Sequence, residues 1–167
     1  MPRVPGDGVS LAVHEWPGTG PAIVCIHGLT ANHVCWRSAA DILAPRHRLI
    51  AYDLRGRGDS DKPPAGYSLD QHGLDLGALL DHFGLRKAVL MGHSLGAHIA
   101  LKFAVAHPER VSKLVLVDGG IDVRAEIIDS LGPAINRLGV EFPSLDAFLG
   151  IIRSLPMFAG RWNDYLE

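Results

Sequence analysis

The sequence predicts an α/β domain built on a mostly parallel sheet flanked by helices. Three observations predict it. Four short apolar runs, Ala22–Ile26, Arg48–Tyr52, Lys87–Met91 and Lys113–Val117, are continuous rather than alternating, as strands covered on both faces are. Stretches with apolar residues at helical spacing lie between them. A glycine-flanked serine, Gly92-His93-Ser94-Leu95-Gly96, sits where one of these strands runs into one of these helices. Strands alternating with helices imply parallel pairing through crossover connections.

In chain order, Val9–Glu15 alternates loosely and reads as a half-buried strand, and Pro17–Pro21 as a turn. After the strand ending at Ile26, Trp36, Ala39, Ala40 and Leu43 share one helix face, and Pro45 stops that helix. After the strand ending at Tyr52, Leu76, Leu79, Leu80 and Phe83 share another face. Ser68 is its N-cap and Gly84 its stop. Beyond Ser94, the small residues Gly96, Ala97 and Ala100 let a third helix approach the sheet closely, and Pro108 ends it. The pattern changes after Gly119-Gly120. Ile127, Ile128, Leu131, Ile135 and Leu138 recur at helical spacing, with Pro133 expected to kink or break that helix. Leu145, Phe148, Leu149 and Ile152 form a further stripe capped by Ser144 and ending near Pro156, and Phe158–Tyr165 is aromatic and irregular. The expected organisation is a core over residues 1–120 and a helical segment over residues 121–167.

Composition narrows the function. The chain has 167 residues, 47% of them apolar, enough for a buried core rather than disorder. Lys plus Arg is 16, Asp plus Glu is 18, and the net charge is -2, so neither nucleic acid nor an anionic membrane is an expected partner. Cys25 lies in a strand and Cys35 in a helical stretch, which suits reduced thiols better than a disulfide framework. No signal-peptide core and no run of membrane-spanning length is visible, so a cytoplasmic location is expected.

The chemistry points to Ser94. A serine at the apex of a tight strand–turn–helix projects its hydroxyl above the sheet, and the helix beginning there aims its positive end at a developing oxyanion. Gly92 and Gly96 leave no side chain where the two backbones crowd. Ligands of open α/β sheets sit beyond the carboxyl ends of the strands, so His27–Asn32 and Asp53–Ser60 converge on the same place. The amides of Leu29 and Leu95 could together hold an oxyanion. No metal is expected: His33, Cys35 and Asp41 fit no zinc spacing, and Gly56-Arg57-Gly58 lacks the lysine of a phosphate loop. His27 is expected to shape the oxyanion loop, His98 to be packed, and His14, His33, His47, His72, His82 and His107 to lie at the surface or helix ends. Ser10 and Ser60 read as loop serines.

His27-Gly28, the Asp53–Ser60 loop and the Gly92–Gly96 elbow, in that order, resemble the α/β-hydrolase superfamily over about Val9–Gly120. The following helices resemble the start of its cap. The resemblance implies a serine hydrolase acting on a small carboxylic ester or related acyl substrate without a cofactor. Ser94 would be the nucleophile, with Leu29 and Leu95 as oxyanion donors. The Asp53–Ser60 loop is mainly structural by the same resemblance. Carbon–carbon bond hydrolysis, lactone opening and cofactor-free perhydrolysis share the scaffold. Epoxide and haloalkane hydrolases of the family usually carry an aspartate at the elbow, which Ser94 argues against. The family pattern continues to two further strands, with the catalytic histidine after the last. No segment within these 167 residues corresponds to either, so the histidine is expected from outside this chain. Asp118 occupies an alternative place for the acid. The strand Lys113–Val117 then becomes a sheet edge, expected to be covered by a second polypeptide, a downstream piece of the same product or a homodimer. The rival reading is a catalytically incomplete, ligand-binding chain.

Overall fold

The computed structural model describes residues 1–119, 132–155 and 160. The chain divides into two compact units, Met1–Arg124 and Ala125–Glu167. The first unit holds a six-stranded sheet. Its strands are β1 (Arg3–Pro5), β2 (Ser10–Trp16), β3 (Ile23–Ile26), β4 (Leu49–Tyr52), β5 (Ala88–His93) and β6 (Val111–Val117), in the spatial order β1-β2-β4-β3-β5-β6. The pairs β4–β3, β3–β5 and β5–β6 are parallel, whereas β1–β2 and β2–β4 are antiparallel. The sequence reading contained no β1. Three residues ending in a proline carry too little periodicity to stand out, and such a strand suits only an edge.

Among its described residues this unit has three α-helices: α1 (Arg37–Leu43, preceded by a 3₁₀ turn at His33–Trp36), α2 (Leu69–His82) and α3 (Leu95–Ala106). Alternate strand residues face opposite sides. Val24, Ile26, Ile50, Tyr52 and Leu90 pack with Leu76, Leu79 and Leu80 of α2 and with Ile99 and Phe103 of α3. Ile23, Cys25, Leu49, Ala51 and Met91 pack on the other side with Trp36 and with Ala40 of α1. Both faces of β3 and β4 are therefore covered, and every residue of these two strands is buried. Ser68 caps α2 by accepting from the Gln71 amide at 3.1 Å, and Gly84 beyond its end adopts φ 65°.

β6 departs from the expectation of a strand covered on both faces. It pairs with β5 alone among the described residues. Val111 and Leu114 pack against the α2–α3 side, but Val115 and Val117 are each 42% exposed. Among the described residues the cluster on the α1 side reaches only as far as Val89 and Met91 of β5 and does not extend over β6.

In the second unit, α4 (Gly132–Ile135) carries Pro133 in its first described turn, where a proline is tolerated. In α5 (Leu145–Ser154), Ser144 is the N-cap and accepts from the Ala147 amide at 3.1 Å. Ile127, Ile128, Leu131, Pro156 and, apart from Gly160, the aromatic stretch Phe158–Tyr165 lie outside the described residues.

Parallel register places the site. Ile26 is level with Tyr52 and with Gly92, and His93 is level with Val117. His27, Asp53, Ser94 and Asp118 therefore leave the same edge of the sheet from four adjacent strands.

Candidate active site

Ser94 links β5 directly to α3 and adopts φ 51° and ψ -117°, a region that side-chain-bearing residues rarely occupy and that costs on the order of 1–3 kcal/mol. Its amide donates to Val117 O at 2.9 Å, and its carbonyl accepts from the Ala97 amide at 2.9 Å. Backbone crowding explains both flanking glycines. A Cβ on Gly92 would lie 2.2 Å from Gly96 O, and one on Gly96 would lie 2.0 Å from Ile26 O. The Ser94 side chain does not cap α3, and among the described residues its hydroxyl has no hydrogen-bond partner. Ser94 is half-buried rather than enclosed. A structural serine spends its hydroxyl on a backbone group; this one holds it free at the positive end of a 12-residue helix.

Two loops lie against this turn. A Cβ on Gly28 would sit 3.3 Å from Ser94 Cβ and 3.0 Å from His93 Nδ1, so a glycine gives the His27–Ala31 loop a close approach that a side chain would crowd. On the other side a Cβ on Gly119 would sit 2.7 Å from Ser94 O. Leu29 follows Gly28 and Leu95 follows Ser94, and among the described residues neither amide donates to a protein acceptor. The first amides of a helix have no intrahelical acceptor, which leaves that of Leu95 open.

His27 is fully buried between the two loops that follow β3 and β4. Its Nε2 accepts from the Leu54 amide at 3.0 Å, so the proton is on Nδ1, which donates to Gly28 O at 2.7 Å. Burial drives its pKa down to about 4, with the Gly28 bond opposing only in part, so the ring is neutral at pH 7.

The loop after β4 is organised by Asp53, whose carboxylate accepts from the His33 amide at 2.7 Å, from His33 Nδ1 at 2.9 Å and from the Asp59 amide at 2.8 Å. Burial alone would raise this carboxyl, but the His33 and Asp59 bonds hold it below the usual carboxylate range. Gly58, at φ 47°, leaves the space that the carboxylate fills. Ser60, expected in the loop, is buried; its hydroxyl donates to Asp53 O at 2.5 Å and accepts from the Ala12 amide at 2.9 Å. Arg55 and Asp75 form a buried bidentate pair at 2.6 and 2.8 Å, which ties the loop to α2.

One expectation about the histidines needs correcting. His72 is 3% exposed, not superficial. It lies four residues before Leu76 on the buried stripe of α2, a spacing that signals its burial. His33 lies at a helix end as expected, at the start of the 3₁₀ turn, and is in addition a partner of Asp53. Arg57, given no role by the sequence, donates from Nε to Leu29 O at 2.6 Å. No local pattern reveals a bond between residues so far apart in the chain.

Asp118 is placed beside Ser94, with φ 50° and a side chain 84% exposed. Its carboxylate lies 3.8 Å from His93 Nε2, a separation beyond hydrogen bonding. Among the described residues no histidine nitrogen bonds the Ser94 hydroxyl, and no group of three His, Cys, Asp or Glu side chains could hold a metal.

A family model described as the alpha/beta hydrolase fold matches residues 21–147. The chain belongs to the alpha/beta hydrolase family. It is 32% identical to a 2-(acetamidomethylene)succinate hydrolase of Mesorhizobium japonicum over 150 residues, 88% of this chain and 54% of that one. Among solved structures it is similar to a membrane phospholipase A, a bacterial virulence factor, at 32% identity and TM-score 0.75 over 90% of this chain and 49% of that one. It is also similar to epoxide hydrolase A of Mycobacterium thermoresistibile, at 32% identity and TM-score 0.66 over 69% of this chain and 37% of that one. The alpha/beta hydrolase chain described here thus spans about half or less of the length of these relatives. Their differing reactions show that the fold does not select a substrate, so any such selection rests with individual residues. Among the described residues of this family member, no helix is long and apolar enough to cross a membrane.

Proposed function

We propose that this alpha/beta hydrolase is a serine hydrolase of small carboxylic esters or related acyl compounds. One observation carries the proposal: the Ser94 hydroxyl, half-buried and without a hydrogen-bond partner among the described residues, is held by a positive-φ turn at the N-terminus of α3. Ser94 Oγ attacks the acyl carbon while its proton passes to a histidine from outside this chain. The oxyanion is held by the Leu29 and Leu95 amides. The carbonyl re-forms as the acyl–oxygen bond of the substrate breaks, and the alcohol leaves with the histidine's proton. Water then attacks the acyl-serine and releases the acid. Asp118 is the carboxylate available to orient the histidine. A downstream piece of the same gene product, a second polypeptide or a second copy of the chain, set against the edge of β6, would bring that histidine. Carbon–carbon hydrolysis, lactone opening and perhydrolysis begin with the same attack or its equivalent.

Without its base, a serine site retains only the part of catalysis that comes from oxyanion binding and positioning, on the order of 10³- to 10⁴-fold over water. The test is a fluorophosphonate probe, with mass spectrometry to locate the adduct, alongside p-nitrophenyl ester turnover. The adduct is expected on Ser94, and Ser94→Ala is expected to abolish both labelling and turnover. An unlabelled Ser94, with turnover equal in Ser94→Ala, would leave the ligand-binding reading in its place.

A further inference from the structure

We propose that Arg57 is a positioning residue for the oxyanion site: it fixes the Leu29–Thr30 peptide and so the backbone at Leu29, whose amide is the proposed donor. The inference rests on the serine-hydrolase reading and adds to it a role for the loop after β4, which the family resemblance treats as scaffold.

The argument begins with peptide planarity. In a trans peptide the N–H points opposite to the C=O of the same unit. The direction of the Leu29 amide is therefore set by the Gly28 carbonyl, and that carbonyl is held twice: by His27 Nδ1 at 2.7 Å and by the Ala31 amide at 3.2 Å. The next carbonyl, Leu29 O, is held by Arg57 Nε at 2.6 Å. With the planes on both sides of Leu29 Cα anchored, its φ and ψ have no freedom to rotate the amide away. A Cβ placed on Gly28 would lie 3.3 Å from Ser94 Cβ, so the loop that carries this peptide lies against the nucleophile turn.

Arg57 is itself oriented. Its Nη1 donates to Gly56 O at 3.0 Å, so the guanidinium plane is pinned at a second point. Its backbone closes a tight turn, donating to Leu54 O at 2.9 Å and accepting from the Ser60 amide at 3.0 Å. Leu54, on the same turn, supplies the amide that fixes the His27 tautomer. A single rigid turn therefore anchors both carbonyls flanking Leu29, one through the His27 ring and one through Arg57. A lysine at position 57 could reach the carbonyl but would lack the planar second attachment.

The experiment combines the phosphonylation rate at Ser94 with the amide resonance of Leu29 in 15N-leucine-labelled protein, before and after the adduct forms. In the wild type the Leu29 and Leu95 amide protons are expected to move downfield on adduct formation, as both take up the phosphonyl oxygen. In Arg57→Met the rate is expected to fall about tenfold or more, a fraction of what loss of a whole oxyanion donor costs. The Leu29 shift is expected to be lost while the Leu95 shift stays. Arg57→Lys should recover part of both, a pattern that general destabilisation would not produce. Wild-type rate and an unchanged Leu29 shift in Arg57→Met would overturn the positioning role alone. Absence of any adduct on wild-type Ser94 would overturn the hydrolase reading and this inference with it.

Discussion

The two sides of Ser94 are built differently. On the His27–Ala31 side, consecutive carbonyls are gripped by a buried imidazole and a guanidinium, and the loop that supplies the guanidinium is knotted around a buried aspartate. On the Asp118–Gly119 side Asp118 has a positive φ of 50° and a carboxylate 84% exposed, which among the described residues lies 3.8 Å from His93 Nε2. Under the proposed mechanism the first side meets negative charge and the second handles the proton. Fixed dipoles stabilise a developing charge because they need no rearrangement when it appears. Among the described residues the fixed bonds are therefore concentrated on the side where the proposed oxyanion would form.

The contrast can be broken most strongly from beneath. Gly96→Ala would drive a Cβ to within 2.0 Å of Ile26 O, and both groups are backbone in packed elements. A loss of about 3 kcal/mol or more is expected in urea unfolding, because neither backbone can yield without moving α3 off the sheet. A near-neutral effect would show that the elbow is looser than its contacts indicate.

Acid sharpens the contrast. His27 and His72 are both driven by burial to a pKa of about 4, from an ordinary 6.5. Their folded-state pKa is depressed and the unfolded chain binds the extra protons first. Stability is thus fully present above pH 6.5 and falls as pH drops toward 4, by up to about 3 kcal/mol for each ring. Urea midpoints measured at pH 7, 5.5 and 4.5 should decline in that order. His27→Gln should remove roughly half of the slope if the two rings act alike.

The smallest expected effect lies on the open side. Asp118→Gly relieves a positive φ and gives up only a weak, solvent-exposed contact, while adding freedom to the unfolded chain. A gain of up to about 1 kcal/mol in urea unfolding is expected, and a clear loss would mean that Asp118 is held more firmly than its exposure shows.

The sheet and helices were readable because each leaves a period in the sequence. β3 and β4 appeared as unbroken apolar runs since helices cover both their faces, and α2 as a stripe between a serine cap and a glycine stop. The edge position of β6 was expected, but the exposure of its face was not: Val115 and Val117 have the composition of a covered strand and are each 42% exposed. Composition reports the environment to which a strand is suited, not its neighbours in one chain. β1 was too short to register. At the site, Ser94 and its glycines were legible because strand, turn and helix are contiguous. The grip on the oxyanion loop was not: Arg57 meets Leu29, and Asp53 meets His33, across gaps of 28 and 20 residues, and a side-chain bond of that span leaves no trace in local spacing.

Ser94 is held in place by its main chain: a bond to Val117, two glycines and the start of a helix, with no help from its own side chain. Such a mounting is indifferent to what it carries. A thiol or a carboxylate set there would be offered to solvent at the same height and angle, with the same helix behind it. A change of one codon could therefore exchange the attacking atom while the socket stayed intact, and a lineage using this fold could move between reaction types without rebuilding its frame.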